Sequence, residues 1–210
     1  MRNTVAAMFG AAVALGSGPA FAQATFGPKG TAAFSADRLF GFYSVHDETE
    51  TPAGDIDVDS TTFGFAWQGG FAPSPYTIPR LGFDYFVINS LSIGGSIAYA
   101  NIDYDDADAE ASAFIFAPRV GYVWMFGDVV GFWLRGGLTY HSYDRENSFD
   151  ENGFAFTGDP MFVIAPTAHF GFVIGPILEF TISGERETGA GDVDHRYTTI
   201  GIAMGPMGWF

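Results

Sequence analysis

The sequence predicts an all-β protein, an eight-stranded antiparallel transmembrane up-and-down β-barrel with its bulky face in lipid. Three observations carry this expectation. The first is alternation over long segments. Between Ala111 and Tyr143, Phe114, Phe116, Pro118, Val120, Tyr122 and Trp124 share one face, while Ile115, Ala117, Arg119, Gly121, Val123 and Met125 share the other. Past Gly127-Asp128, which suits a two-residue type II′ turn, Val130, Phe132, Leu134, Gly136, Leu138 and Tyr140 alternate with Gly131, Trp133, Arg135, Gly137, Thr139 and His141. A period of two fits a strand and not a helix. The second is length: sandwich strands run to about five or six residues, whereas a tilted membrane strand needs about 9–11. The third is the character of the faces. One is large and apolar; the other is small, Gly-rich and carries a central Arg. A membrane barrel puts the first in lipid and the second in the lumen.

Composition agrees. The chain has 210 residues, no Cys, 17% aromatic residues and a formal charge of −15. The acidic balance excludes a nucleic-acid binder, which needs a basic face. After the first twenty-odd residues, no apolar run is long enough for a helical membrane span. Residues 1–22 read as a signal peptide: Arg2 is the positive start, Val5 to Leu15 the apolar run, and Ala20-Phe21-Ala22 a cleavage box, with Ala22-Gln23-Ala24 as a second choice. Residues 23–210 form the barrel domain, localised to the bacterial outer membrane.

In chain order, Thr31 to Val45 is the first strand. Its phase is ambiguous because Asp37 and Arg38 are adjacent; Asp37 is placed inside and Arg38 outside, and a bulge could reconcile the pair. Residues 46–79 form one long excursion that contains 61–68, since counting 61–68 as a spanning strand gives nine, the wrong parity. A ten-strand reading is the alternative. Strands follow over Arg80 to Ile88, Leu91 to Tyr104, the two halves of 111–143, Met161 to Ile174, Ile177 to Glu185 and Arg196 to Phe210. Tight turns at 89–90, 127–128 and 175–176 fall on one side. Acid-rich loops near 105–110, 144–160 and 186–195 fall on the other. Of 24 acids, 20 lie on that second side, which identifies it as extracellular by the habit of short periplasmic turns and long external loops. Tyr residues gather at the acidic strand ends, and Phe and Trp near the tight turns, as two interfacial girdles require.

The signal peptide, the eight alternating strands, the short turns and the terminal Phe210 resemble the small outer-membrane barrel family typified by the OmpA transmembrane domain and OmpX. The resemblance is architectural and spans most of the mature chain. It implies outer-membrane lipids as surroundings and recognition of Phe210 by the β-barrel insertion machinery. The family's assembly signal has a second apolar residue two positions before the last. Here Gly208 occupies that place, with Trp209 adjacent.

The lumen faces carry Arg80, Asp84, Arg119, Arg135 and Glu179. An eight-stranded barrel is just wide enough to be filled by side chains, and buried charges must be paired. These five are therefore expected to form a lumenal ion-pair network. The leading function is a non-enzymatic structural or surface-interaction protein with a filled lumen and long acidic external loops. The alternatives are an outer-membrane lipid-modifying enzyme, drawing on His141-Ser142 with Asp144 or Glu146, and a narrow gated channel. Adjacent His and Ser point to opposite strand faces, which disfavours the enzyme. No catalytic residues, metal site or cofactor are assigned. Asp55-Ile56-Asp57-Val58-Asp59-Ser60 begins like a calcium loop, but position twelve is Ala66 and the pattern fails. Loose divalent-cation binding by the acidic loops is the remaining expectation.

Overall fold

A computed structural model describes residues 26–51, 54–65, 78–104, 109–145, 149–188 and 191–210. The expected signal peptide lies outside them, as do 66–77 and most of the acidic stretch 105–110. Among the described residues ten strands form: β1 Ala32–Asp37, β2 Phe40–Thr51, β3 Gly54–Phe65, β4 Arg80–Ile88, β5 Leu91–Tyr104, β6 Ala109–Met125, β7 Val130–Arg145, β8 Phe149–Ile164, β9 Phe170–Thr188 and β10 Gly191–Trp209. From β4 to β10 each strand pairs antiparallel with the next.

Closure is made by β1 and β2, which are one course of chain broken at Arg38 and Leu39. That course pairs with β10 on both sides of the break, through Ala33↔Trp209 to Ser35↔Met207 and then Phe40↔Met204 to Thr49↔His195. On its other side β1 pairs with β4 and β2 with β3. β3 and β4 thus share one place in the ring, one above the other. The ten strands fill eight places, the expected barrel.

Alternation sets the two faces. Phe116, Leu134 and Ile202 are 50%, 47% and 58% exposed, whereas inward Ala117, Arg135 and Ala203 are 5%, 1% and 0% exposed. Large apolar groups outside and small or charged groups inside is the inverse of a soluble sheet, and it makes the outer surface a lipid-facing belt. At the tight-turn end the lumen is filled by Phe26, Phe86, Val123, Trp133, Met161, Met207 and Trp209.

Several sequence expectations need correction. The turn placed at Gly175-Pro176 is the middle of β9, and β8 turns into β9 at 165–169, where Thr167 Oγ1 accepts from Phe170 N at 3.0 Å. Pro176 tolerates the strand because Pro160 lies opposite it on β8, in a stretch where ladder pairing lapses between Gly158↔Leu178 and Phe162↔Ile174. Two prolines facing each other leave one local gap in place of two. The Gly127-Asp128 turn is a four-residue connection, 126–129, closed by Phe126 N donating to Val130 O at 2.8 Å. Residues 61–65 are not loop but the lower part of β3. Most of the described stretches expected as acidic loops are strand as well: β2 pairs β3 out to Thr51↔Gly54, β7 pairs β8 to Arg145↔Phe149, and β9 pairs β10 to Thr188↔Gly191. Backbone pairing continues into water, where the apolar alternation that marks a strand is no longer required.

Leu134 sits in the apolar belt. Leu134→Arg is expected to lower unfolding stability by about 2–4 kcal/mol, while Ser44→Arg, at the edge of the belt, costs about 0–1 kcal/mol. Urea unfolding in lipid vesicles measures both, and equal costs would misplace the belt.

Candidate functional site

The lumenal charges converge at mid-depth. Arg80 and Asp84 stand on β4, Arg119 on β6, Arg135 on β7, Asp159 on β8 and Glu179 on β9, while Asp37 ends β1 and Arg38 occupies the break. All are at most 7% exposed. Arg119 Nε donates to both oxygens of Asp84 at 3.2 Å, and its Nη1 donates to Asp37. Arg135 Nη1 donates to Asp37 Oδ1 at 3.1 Å, and its Nη2 lies 3.7 Å from Asp159 Oδ2. Arg38 Nη2 lies 3.7 Å from Asp159 Oδ1 and donates to Glu179 Oε2 at 2.8 Å. Arg80 Nη2 donates to both Glu179 oxygens at 3.1 Å. Followed in this order, Asp84, Arg119, Asp37, Arg135, Asp159, Arg38, Glu179 and Arg80 form one chain of alternating sign. Four cations meet four anions, so its formal charge is zero.

Glu179 is heavily hydrogen-bonded. Besides the two arginines it accepts from Thr157 Oγ1 at 2.8 Å and Tyr197 OH at 3.0 Å. Such saturation is what keeps a carboxylate ionised away from water. Gly82 leaves the room the chain needs: a Cβ there would fall 2.4 Å from Ser35 Oγ and 2.7 Å from Asp37 Oδ2.

Sequence reasoning did not place two members. Arg38 was assigned outward; it is 3% exposed and turns inward because its φ of 59° breaks the alternation. That left-handed backbone is costly for a residue with a Cβ, and the contacts with Glu179 and Asp159 offset the cost. The adjacent Asp-Arg pair was the available signal. Asp159 was assigned to a loop; extending the alternation of Phe162 and Pro160 back to Phe156 and Phe154 places it on the inner face.

Above the chain of charges, toward the acidic end, lies a second polar group. His195 Nδ1 is 3.3 Å from Asp47 Oδ1 and its Nε2 is 3.2 Å from Glu151 Oε1. His141 Nε2 is 3.5 Å from the same Glu151 oxygen, and Arg186 Nη2 donates to Glu151 Oε2 at 2.9 Å. His141 is 1% exposed, while Asp144 is exposed and Glu146 lies outside the described residues. His141, Ser142 and Asp144 therefore do not assemble into a catalytic set. Among the described residues, no group of three His, Cys, Asp or Glu side chains is arranged to hold a metal ion. Outside the belt, His46 Nδ1 lies 2.8 Å from Asp59 Oδ1. That hydrogen bond raises the imidazole pKa above its ordinary value, and the charges of Asp59, Asp57 and Glu48 add to the rise.

No protein-family model matches the chain, and no curated protein matches it in sequence. Solved structures do resemble it. The outer membrane protein OprG from Pseudomonas aeruginosa aligns at TM-score 0.50 and 11% identity, over 90% of this chain and 98% of that one. Ail, the attachment invasion locus protein of Yersinia pestis, aligns at 0.41 and 11%, over 87% and 99%. Neisserial surface protein A aligns at 0.42 and 12%, over 86% and 99%. The chain has the fold of a small outer-membrane β-barrel.

Two outcomes are expected. Glu179→Ala leaves Arg38 and Arg80 without their shared anion and is expected to cost roughly 3–5 kcal/mol. Removing Arg80 as well recovers part of that loss, as coupled residues do. Unfolding midpoints of the two variants in vesicles measure this. For His46, the raised pKa means that its bond to Asp59 stabilises the fold below the unfolded imidazole pKa, and that this is lost as pH rises through the folded value. An NMR titration is expected to place His46 above a free histidine, and Asp59→Asn to remove most of the rise.

Proposed function

We propose that this chain is a non-enzymatic barrel of the bacterial outer membrane, closed to ions by its own side chains, and that its work is structural or a surface interaction at the acidic end. The observation that carries the reading is the electroneutral chain of eight alternating charges spanning the lumen. A hydrated pore leaves its lining charges to water; here each carboxylate of the chain lies against arginine. Polar and small apolar groups lie above the chain of charges and aromatic side chains below it.

The acidic end supports the second half of the reading. The paired strands β2 and β3, β7 and β8, and β9 and β10 continue past the apolar belt and carry Glu48, Glu50, Asp57, Asp59, Asp150, Glu187 and Asp194. In the expected orientation this paired scaffold faces outward and presents negative charge. Phe210 is 74% exposed and stacks on Phe34 at 5.6 Å, at the lipid face of the closing seam. Its accessibility suits recognition by the insertion machinery. Lipid modification is disfavoured because Ser142 and His141 face opposite ways on β7.

Planar-bilayer recording tests the closed lumen. The wild-type protein is expected to give no steady current, and Glu179→Ala to give intermittent conductance if it folds. A steady open-pore current from wild type would replace this reading with the channel alternative.

A further inference from the structure

At the tight-turn end, three aromatic side chains form a cage. Phe86 stands on β4, Trp133 on β7 and Trp209 on β10. The ring at its centre does not come from a strand. Phe26 lies 5.2 Å from each of the three, at interplanar angles of 84°, 69° and 69°, and is 1% exposed. These are edge-to-face contacts, the geometry a bound aromatic ring prefers.

The segment that delivers Phe26 is lightly attached. Ser90 N donates to Gly27 O at 2.8 Å, Lys29 N to Asn89 Oδ1 at 2.9 Å and Gly30 N to Phe86 O at 2.8 Å. Gly27 and Gly30 have φ of +104° and +93°, so the chain reverses on either side of Pro28. Among the described residues strand pairing begins only at Ala32, so withdrawing Phe26 at the cost of the Ser90 bond leaves that pairing in place.

One wall of the cage also carries a donor with no conventional acceptor. Trp133 Nε1 donates to Ser92 Oγ at 3.3 Å. Trp209 Nε1 is buried and meets no acceptor among the described residues. A buried unpaired N–H is costly, and an aromatic ring is at most a weak acceptor for it. An apolar space of this kind, once emptied, takes up small aromatic molecules.

We propose that this cage is a binding site for a small uncharged aromatic molecule bearing one hydrogen-bond acceptor, with Phe26 as its displaceable resident. The molecule's ring takes the place of the Phe26 ring, and its acceptor receives the Trp209 N–H. Entry is from the tight-turn end, which the orientation given above puts in the periplasm; the site itself does not depend on that orientation or on a closed lumen.

The test uses the full mature chain in lipid nanodiscs, which expose both ends. A Trp67→Phe/Trp124→Phe background leaves Trp133 and Trp209 as the only fluorescent tryptophans of the four. Acetophenone is the probe, and ethylbenzene is its counterpart of similar shape without an acceptor. Saturation-transfer NMR, corrected with empty nanodiscs, gives the affinities, and fluorescence reports contact with the two tryptophans. Saturable acetophenone binding to the Phe26-containing protein is expected, about threefold to tenfold tighter than ethylbenzene, as one added hydrogen bond implies. Phe26→Ala is expected to bind at least about tenfold tighter, because the competitor is gone. Equal affinity for the two probes, an affinity unchanged by Phe26→Ala, or binding to Phe26→Ala alone would each overturn the proposal, the last by making Phe26 a permanent plug. If Phe26→Ala does not fold, Phe26→Leu replaces it: intermediate tightening supports the proposal and unchanged affinity overturns it.

Discussion

A strand ring in hydrocarbon must close, because each unpaired backbone N–H or C=O there costs several kcal/mol. In this chain closure falls to β1 and β2, and they meet β10 with a defect between them. Residues 36–39 face only 205–206 across the seam. The surplus residues leave the ladder, and Arg38 takes the left-handed backbone that lets it turn inward. The seam and the lumen are therefore one problem. The same irregularity that could weaken closure supplies the cation that joins Asp159 to Glu179.

Everything inside the ring is arranged by depth. The lower third is apolar and aromatic, the middle is ionic, and the upper third combines histidines and carboxylates with apolar groups such as Ala98, Ala113 and Ile115. The middle layer draws on β1, β4, β6, β7, β8 and β9, and Tyr197 ties in β10 through Glu179. No strand contributes more than two of the eight charges, so the layer reads the relative position of most of the wall. At one level of that wall Pro160 and Pro176 interrupt the ladder, and beside it Arg38 links Asp159 of β8 to Glu179 of β9.

Much of this was legible in the sequence because lipid imposes a strict period of two, and 111–143 obeys it with bulky residues on one parity. Arg80, Asp84, Arg119, Arg135 and Glu179 could be placed on the inner face by parity alone. Legibility failed where the period carried no hydrophobic contrast. Beyond the belt, residues such as Asp150, Asn152 and Glu187 form ladders in water and read as loop. It failed again where punctuation misled: Gly175-Pro176 reads as a turn unless Pro160 is known to face it. Arg38 was beyond parity altogether, since a positive φ lets two successive residues face the same side.

The alternating order of the lumenal charges also bears on how the barrel is assembled. Hydrophobic alternation forbids a slip of one residue between neighbouring strands, because that exchanges inside for outside. It is blind to a slip of two, which returns every side chain to its own face about 7 Å away. The charges are not blind to it. Moving β6 by two residues brings Ala117 or Gly121 to the depth of Arg119 and leaves Asp37 and Asp84 without their shared cation. Moving β9 likewise brings Ile177 or Thr181 to the depth of Glu179, between Arg38 and Arg80. Near-correct rings are thus left with bare charges in a narrow interior, while the native register pairs all eight members of the chain. The ionic layer acts as a proofreading code for strand register.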